Sequence, residues 1–135
     1  METKRDLVER ELSYKVVGIL FDVYNALGGG YQEKYYQKAI AKELAIRGIS
    51  SEEQVRVPLI YKAMPLGRYY LDFLIENKII LEIKATDIFF ARDIKQILAY
   101  LKAKDLPLGI LANFGRNGLK LKRVLKGYGS IRDNS

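Results

Sequence analysis

Between Tyr69 and Lys84 the chain reads Y-Y-L-D-F-L-I-E-N-K-I-I-L-E-I-K. Two apolar runs flank a polar break at Glu76-Asn77-Lys78. Leu71, Phe73 and Ile75 alternate in the first run, and Ile79, Leu81 and Ile83 in the second. Alternation with a period of two on both sides of a turn predicts a β-hairpin with an apolar odd-numbered face. The other face carries Tyr70, Asp72 and Leu74, then Ile80, Glu82 and Lys84. Three charges beside aliphatic residues are not the composition of an ordinary solvated face.

Register decides what those charges can do, because a slip of one residue moves every side chain to the opposite face. Both strands keep their odd-numbered face in the core only if cross-strand partners share parity. Pairing Ile75 with Ile79 satisfies this and leaves 76–78 as the loop, with Asn77 or Lys78 in the left-handed conformation of a bulged turn. Asp72 then lies opposite Glu82, with Cβ atoms about 4.5–5.5 Å apart, and Lys84 follows on the same face. Two carboxylates that close repel. The usual compensation is a divalent cation, and hard oxygen donors favour Mg²⁺ or Mn²⁺. The plain alternative is a surface ion pair of Glu82 with Lys84 beside a solvated Asp72.

Composition narrows the chemistry. The chain has 135 residues, 49% of them hydrophobic and 29% charged, which fits one globular domain over 1–135 with its core at about 5–125. It has neither cysteine nor histidine. Disulfides, thiolate or imidazole metal sites and histidine-based triads are therefore excluded. Catalysis must use carboxylates, lysine, tyrosine, hydroxyls or an oxygen-bound metal. No apolar run reaches the ~18 residues of a membrane span. The charged opening Met1-Glu-Thr-Lys-Arg-Asp predicts no signal peptide, and the expected compartment is the cytoplasm. A net charge of +7 points to a polyanionic partner, or to a merely basic surface.

Helical spacing predicts a first helix over 4–27, with Leu7, Leu12, Val16, Ile19, Leu20, Val23 and Leu27 on its buried side. Gly28-Gly29-Gly30 would cap it and turn the chain. A second helix is predicted over 32–47, with Tyr36, Ile40 and Leu44 inward and Glu33 in its first turn, where the helix dipole favours a carboxylate. A polar connection at 50–54 leads into a strand at 55–61, and Pro58 suggests an edge or bulge. A turn at 62–67 precedes the hairpin. Phe89-Phe90 look exposed in the connection that follows. A third helix over 93–104 puts Gln96 and Tyr100 four apart on one face. A buried strand at 107–113 is expected to run parallel to the strand ending at Lys84. Residues 119–125 read as a strand or short helix, and 128–135 as a flexible tail.

These residues carry a resemblance. Gly30-Tyr31-Gln32-Glu33-Lys34-Tyr35-Tyr36 fits G-x-x-E-x-x-Y. With Asp72, Glu82-Ile83-Lys84, Gln96-Ile97-Leu98-Ala99-Tyr100 and Gly109-Ile-Leu-Ala-Asn113-Phe114 in order, the chain resembles the GxxExxY protein family over nearly its whole length. That resemblance implies the PD-(D/E)xK nuclease superfamily. It also implies an α/β fold with a restriction-endonuclease-like α-β-β-β-α-β core: a mixed central sheet flanked by helices, plus an extra N-terminal helix. Asp72 would match the superfamily's metal-binding aspartate, Glu82 its second acidic ligand and Lys84 its lysine. Glu33 would match an acid that some members supply from the first core helix. Gln96 with Tyr100 is similar to the Q-x-x-x-Y motif of the exonuclease-like branch. The chain departs at Asp93, where many members of the family carry a histidine.

The implied activity is metal-dependent hydrolysis of phosphodiester bonds, in DNA more than in RNA. Asp72, Glu82 and the Ile83 backbone carbonyl would hold Mg²⁺ or Mn²⁺, with Glu33 joining directly or through water. Lys84 would position water or stabilise charge on the phosphate, and Gln96 would orient either. Tyr36 and Tyr100 are candidate substrate contacts. Lys95, Lys102, Lys104, Lys120, Lys122, Arg123 and Lys126 are candidates for backbone phosphates. Nothing resembles a base-reading module, so sequence preference should be weak. Two other readings fit: a catalytically silent nucleic-acid-binding protein, and an interaction module or homodimer using Phe89, Phe90 and the tyrosines near 31.

Overall fold

The structure, a computed structural model, describes residues 9–127 and the backbone of 129–134. The elements are α1 (Arg10–Leu27), α2 (Glu33–Ile46), β1 (Ser51–Tyr61), β2 (Met64–Ile75), β3 (Ile79–Lys84), α3 (Ala91–Lys104), β4 (Leu108–Phe114), β5 (Leu119–Leu125) and β6 (Gly129–Asn134). They make one mixed six-stranded sheet in the order β1-β2-β3-β4-β5-β6. Only β3 and β4 run parallel, joined through α3; the other neighbours are antiparallel. The expected α/β architecture, with a helix ahead of it, is present.

Two apolar layers hold the sheet. Val16, Ile19, Leu20 and Val23 of α1 and Tyr36, Ile40 and Leu44 of α2 pack on Phe73, Ile75, Ile79, Leu81, Ile83, Ile110 and Leu121. On the other face, Ile97, Tyr100 and Leu101 of α3 pack on Val55, Val57, Leu71, Ile80, Leu111 and Val124. Every residue of β4 is buried, as expected of a central strand covered on both faces. A Cβ on Gly109 would lie 2.3 Å from Ile97 Cγ2, so α3 sits as close as it does because that position has no side chain.

The β2–β3 register is the expected one, with Ile75 opposite Ile79 and Phe73 opposite Leu81. The loop is the expected 76–78, and Asn77 takes the left-handed conformation at φ 55°, joined by Glu76 at φ 51°. The Lys78 N–H bonds the Ile75 carbonyl at 2.9 Å. Leu71 leaves the expected face, because it packs with the α3 layer while Phe73 packs with the other. The ladder to β3 gives out beyond Phe73, and Gln54 on the neighbouring strand has φ 52°. The ribbon changes faces at this break.

Three boundaries move for related reasons. Ser51–Gln54, expected as a connection, belongs to β1, pairing Ser51 with Ile75 and Glu53 with Phe73. A polar sequence suits an edge strand that water reaches. The 62–67 turn shrinks to Lys62 and Ala63, both at positive φ, and β2 starts at Met64. Gly129–Asn134 is a strand along β5 where a tail was expected. Residues 119–125 are a strand. The start of the first predicted helix, 4–8, lies outside the described residues.

Candidate active site

The G-x-x-E-x-x-Y segment forms the entrance to α2. Gly28 and Gly30 sit at φ 73° and 98°, conformations at which a Cβ is strained. The turn they make is tied by Tyr36. Its hydroxyl donates to the Gly28 carbonyl at 2.6 Å and accepts the Tyr31 N–H at 3.2 Å. Gly29 packs on a second loop, where a Cβ would come within 2.6 Å of the Gly115 and Arg116 carbonyls. This folding places Glu33 at the first position of α2, beside the C-terminal end of β3. Tyr36 is fully buried with its ring 4.5 Å from that of Phe114, so it is a core strut and not the substrate contact expected of it.

At the end of β3, side chains take over from the backbone ladder. Glu82 Oε1 accepts the Asp72 N–H at 2.9 Å, and Asp72 Oδ2 accepts the Ile83 N–H at 2.7 Å. Both carboxylates are buried, 4% and 7% exposed. Gln37 of α2 donates one amide to Asp72 Oδ1 at 2.8 Å and to Glu33 Oε2 at 3.2 Å, linking helix and hairpin. Lys84 Nζ stands 3.5 Å from Glu82 Oε2 and 4.0 Å from Asp93 Oδ1. Asp93, in the first turn of α3, is buried as well. Four carboxylates thus meet one lysine between the N-termini of two helices, whose dipoles favour negative charge.

The electrostatics follow from that imbalance. Burial, and then the charge of Asp72, push the Glu82 carboxyl up to about 8 against the opposing pull of Lys84. Burial also raises Glu33; Lys84 draws it down, and Asp72 and Asp93 add to the rise. Burial works to lower Lys84, but Glu82, Glu33, Asp93 and Asp72 outweigh it and hold its pKa above the ordinary value. Lys84 is a standing cation at neutral pH.

Does this donor set fit a divalent cation? The kind of donor does: hard carboxylate oxygens, with an excess of negative charge that a cation would offset. The raised Glu82 carboxyl marks that excess, because at neutral pH it holds a proton. The arrangement is not a closed cage. Among the described residues no three acidic side chains converge as ligands, and all four Asp72 and Glu82 oxygens are engaged by N–H groups or Lys84 at 3.5 Å or less.

The other expected site residues divide by face. In the strand register Lys84 lies beside Asn113, and Asn113 beside Lys120. Lys120 is therefore two strand spacings, roughly 9–10 Å, from Lys84. Its Nζ lies 3.4 Å from the Asp87 carbonyl. Lys122 stands over the Phe89 ring at 4.8 Å. Arg123 faces the other way, donating to Ser13 Oγ of α1 at 3.2 Å. Lys95 is exposed and Gln96 partly so. Gln96 shares a helix face with Asp93, but its side chain bonds none of the carboxylates; its carbonyl accepts the Tyr69 hydroxyl at 3.1 Å. Tyr100 is buried under the β1–β2 ribbon, away from the carboxylates. Phe89 and Phe90 are partly buried, and Arg92 covers Phe90.

Sequence reasoning missed Gln37, and it named Asp93 only as a departure. A glutamine at i+4 from Glu33 was the available signal, since the two share a helix face.

A family model of the PD-(D/E)XK nuclease superfamily matches residues 10–124. The chain belongs to that superfamily. The match covers the helices α1 to α3 and the strands through the greater part of β5. No curated protein and no solved structure matches the chain. No described helix is long and apolar enough to cross a membrane.

Proposed function

We propose that this superfamily member is a metal-dependent nuclease that hydrolyses phosphodiester bonds of DNA at the end of β3. The observation that carries the reading is the meeting of Asp72, Glu82, Glu33 and Lys84, from two strands and a helix, around a break in the sheet ladder. Asp72 and Glu82 would hold Mg²⁺ or Mn²⁺, with Glu33 joining directly or through water. The Ile83 carbonyl is a further donor, since the N–H and C=O of a strand residue point to the same side and its N–H is already on Asp72. A bound divalent cation supplies Lewis-acid polarisation of the phosphate and a more acidic water.

The chain's own groups do the rest. Lys84 keeps its proton, so it serves as a fixed charge against the phosphate oxygens and not as a base. Gln37 aims Asp72 and Glu33 together. Water oxygen attacks phosphorus, the phosphorus–oxygen bond to the leaving strand breaks, and that oxygen takes up a proton. Lys120, Lys122 and Lys95 lie on the α3 side, where they would meet backbone phosphates. The test is cleavage of supercoiled plasmid, single-stranded DNA and RNA with Mg²⁺, Mn²⁺ or EDTA. Wild type should cut DNA only with metal, and Lys84→Ala should lose at least 100-fold in rate, about 2.7 kcal/mol. Equal cutting by the variant, or cutting in EDTA, refutes the mechanism.

A second reading rests on a specific feature. Because the Asp72 and Glu82 oxygens already satisfy backbone N–H groups, the pair would also serve as a structural clasp in a silent nucleic-acid-binding protein. That protein would bind DNA in a salt-sensitive way and cut nothing.

A further inference from the structure

The ribbon β1–β2 outruns the sheet. Beyond Phe73, β2 has no register partner on β3 and pairs with β1 alone, out to Tyr61 opposite Met64. Its near half is anchored, since Val55, Val57, Leu71 and Tyr69 pack on the α3 layer. Its far half is not: every residue from Pro58 to Arg68 is exposed. Leu59, Ile60, Tyr61, Met64 and Leu66 are each more than half exposed. A two-stranded ribbon on its own is only marginally stable in water, and a contiguous exposed apolar patch marks a contact surface.

Charge chooses the occupant. From Gln54 to Leu71 the chain carries Arg56, Lys62 and Arg68 and no acidic residue. A second copy would set basic arm against a basic molecule of net charge +7; a polyanion meets the opposite sign. Position agrees. Tyr69 and Leu71 face α3, so Arg68 and Tyr70 face the α2 side by alternation. Arg68 Nε bonds the Tyr70 hydroxyl at 3.0 Å. Two residues on, the Asp72 carboxylate reaches Gln37 of α2. The arm's basic and aromatic face therefore runs along one strand into the carboxylates. The major groove of B-form DNA admits a two-stranded ribbon, while the A-form RNA major groove is too narrow.

We infer that the β1–β2 hairpin is a DNA-docking arm that enters the major groove of a duplex. Arg68 and Lys62 meet phosphates on the groove walls, and the apolar tip residues meet base edges. Tyr70 leads the strand toward Asp72. The inference deepens the nuclease reading and rests on it for the last step alone.

The test is anisotropy binding of the full chain to a labelled 20-base-pair duplex in EDTA, across a salt series. Lys62→Glu/Arg68→Glu should weaken binding roughly tenfold or more and flatten the log–log salt slope by about 1.8, two phosphates' worth. Ile60→Ser/Leu66→Ser should weaken binding with the slope unchanged. Lys15→Glu/Lys42→Glu, an equal change of net charge at exposed positions on α1 and α2, should cost far less. All substitutions fall on exposed residues, and melting curves check that each variant folds. Arm variants that bind like the α1/α2 control overturn the proposal, as does a wild type with no duplex affinity. A wild-type dimer that Ile60→Ser/Leu66→Ser dissolves overturns it in favour of a second copy. If wild type binds through the arm but never cuts, the arm stands and the nuclease reading falls.

Discussion

A buried carboxyl raised to about 8 beside a second carboxylate couples folding to pH across the neutral range. The unfolded chain ionises Glu82 near its ordinary value of 4.5, so the folded chain binds the extra proton between those two values. Stability from the protonated form is complete below about 4.5 and is lost as pH rises through about 8. Glu33 shifts in the same direction. The melting temperature of metal-free protein should therefore fall from pH 5.5 to 8.5, Glu82→Gln should flatten that fall, and Mg²⁺ should restore wild-type stability at the upper end. A wild-type profile flat over this window would remove the argument. Gln37 supports a separate prediction. Its amide joins Asp72 and Glu33, so Gln37→Ala should weaken Mn²⁺ binding by roughly 10–100-fold in calorimetric titration. The loss of these part-buried hydrogen bonds should cost only about 1 kcal/mol of stability.

The α1–α2 turn shows how an element carries the site, and two of its glycines separate two kinds of cost. Gly30 has open space around its Cβ position but φ 98°, so Gly30→Ala should lose about 1–2 kcal/mol from backbone strain alone. At Gly29 a Cβ would strike backbone at 2.6 Å. Gly29→Ala should therefore push α2 from the Gly115–Arg116 loop, cost about 2–3 kcal/mol and slow any activity that needs Glu33 in place. Denaturant melts of the two variants, beside a turnover assay, check both. How much of this was legible follows from what each residue signals locally. Alternation of Phe73, Ile75, Ile79 and Leu81 gave the hairpin, its register and the meeting of Asp72 with Glu82, because burial leaves one parity open. The face change at Leu71 left no mark, because a leucine reads the same on either side of a sheet with two apolar faces. Ser51-Glu-Glu-Gln54 read as loop because edge strands tolerate polar residues. Arg123 was grouped with Lys120 and Lys122 by sequence proximity, although alternation alone sets it on the opposite face. Tyr36 falls on the apolar stripe of α2 and its burial was legible there, whereas Tyr100 carries a polar tip and only packing shows that it is buried.

Across the molecule two fields oppose each other: a net charge of +7 attracts a polyanion, while Asp72, Glu33 and Asp93 around Lys84 repel phosphate at the end of β3, where the proposed reaction needs it. A phosphate about 8 Å from a carboxylate in a water-like dielectric is repelled by about 0.5 kcal/mol. Removing two such charges should then tighten metal-free binding roughly fivefold. Glu82 is a poor choice for this experiment, since it holds a proton near neutral pH, and Asp72 ties the strands together. Glu33 and Asp93 suit it: Gln keeps the oxygen that Gln37 donates to, and Asp93 contacts Lys84 at 4.0 Å. Glu33→Gln/Asp93→Asn should bind duplex DNA more tightly than wild type in EDTA at pH 7, yet cut it more slowly with Mg²⁺. Added Mg²⁺ or Ca²⁺ should tighten wild-type binding more than the variant's, because the substitutions have already removed part of the charge that the cation cancels. Anisotropy with and without metal measures all three. A variant that binds no tighter than wild type in EDTA would mean that phosphate never comes near the end of β3. The strand would then lie elsewhere on the basic surface, and the carboxylates would be a clasp for the sheet alone.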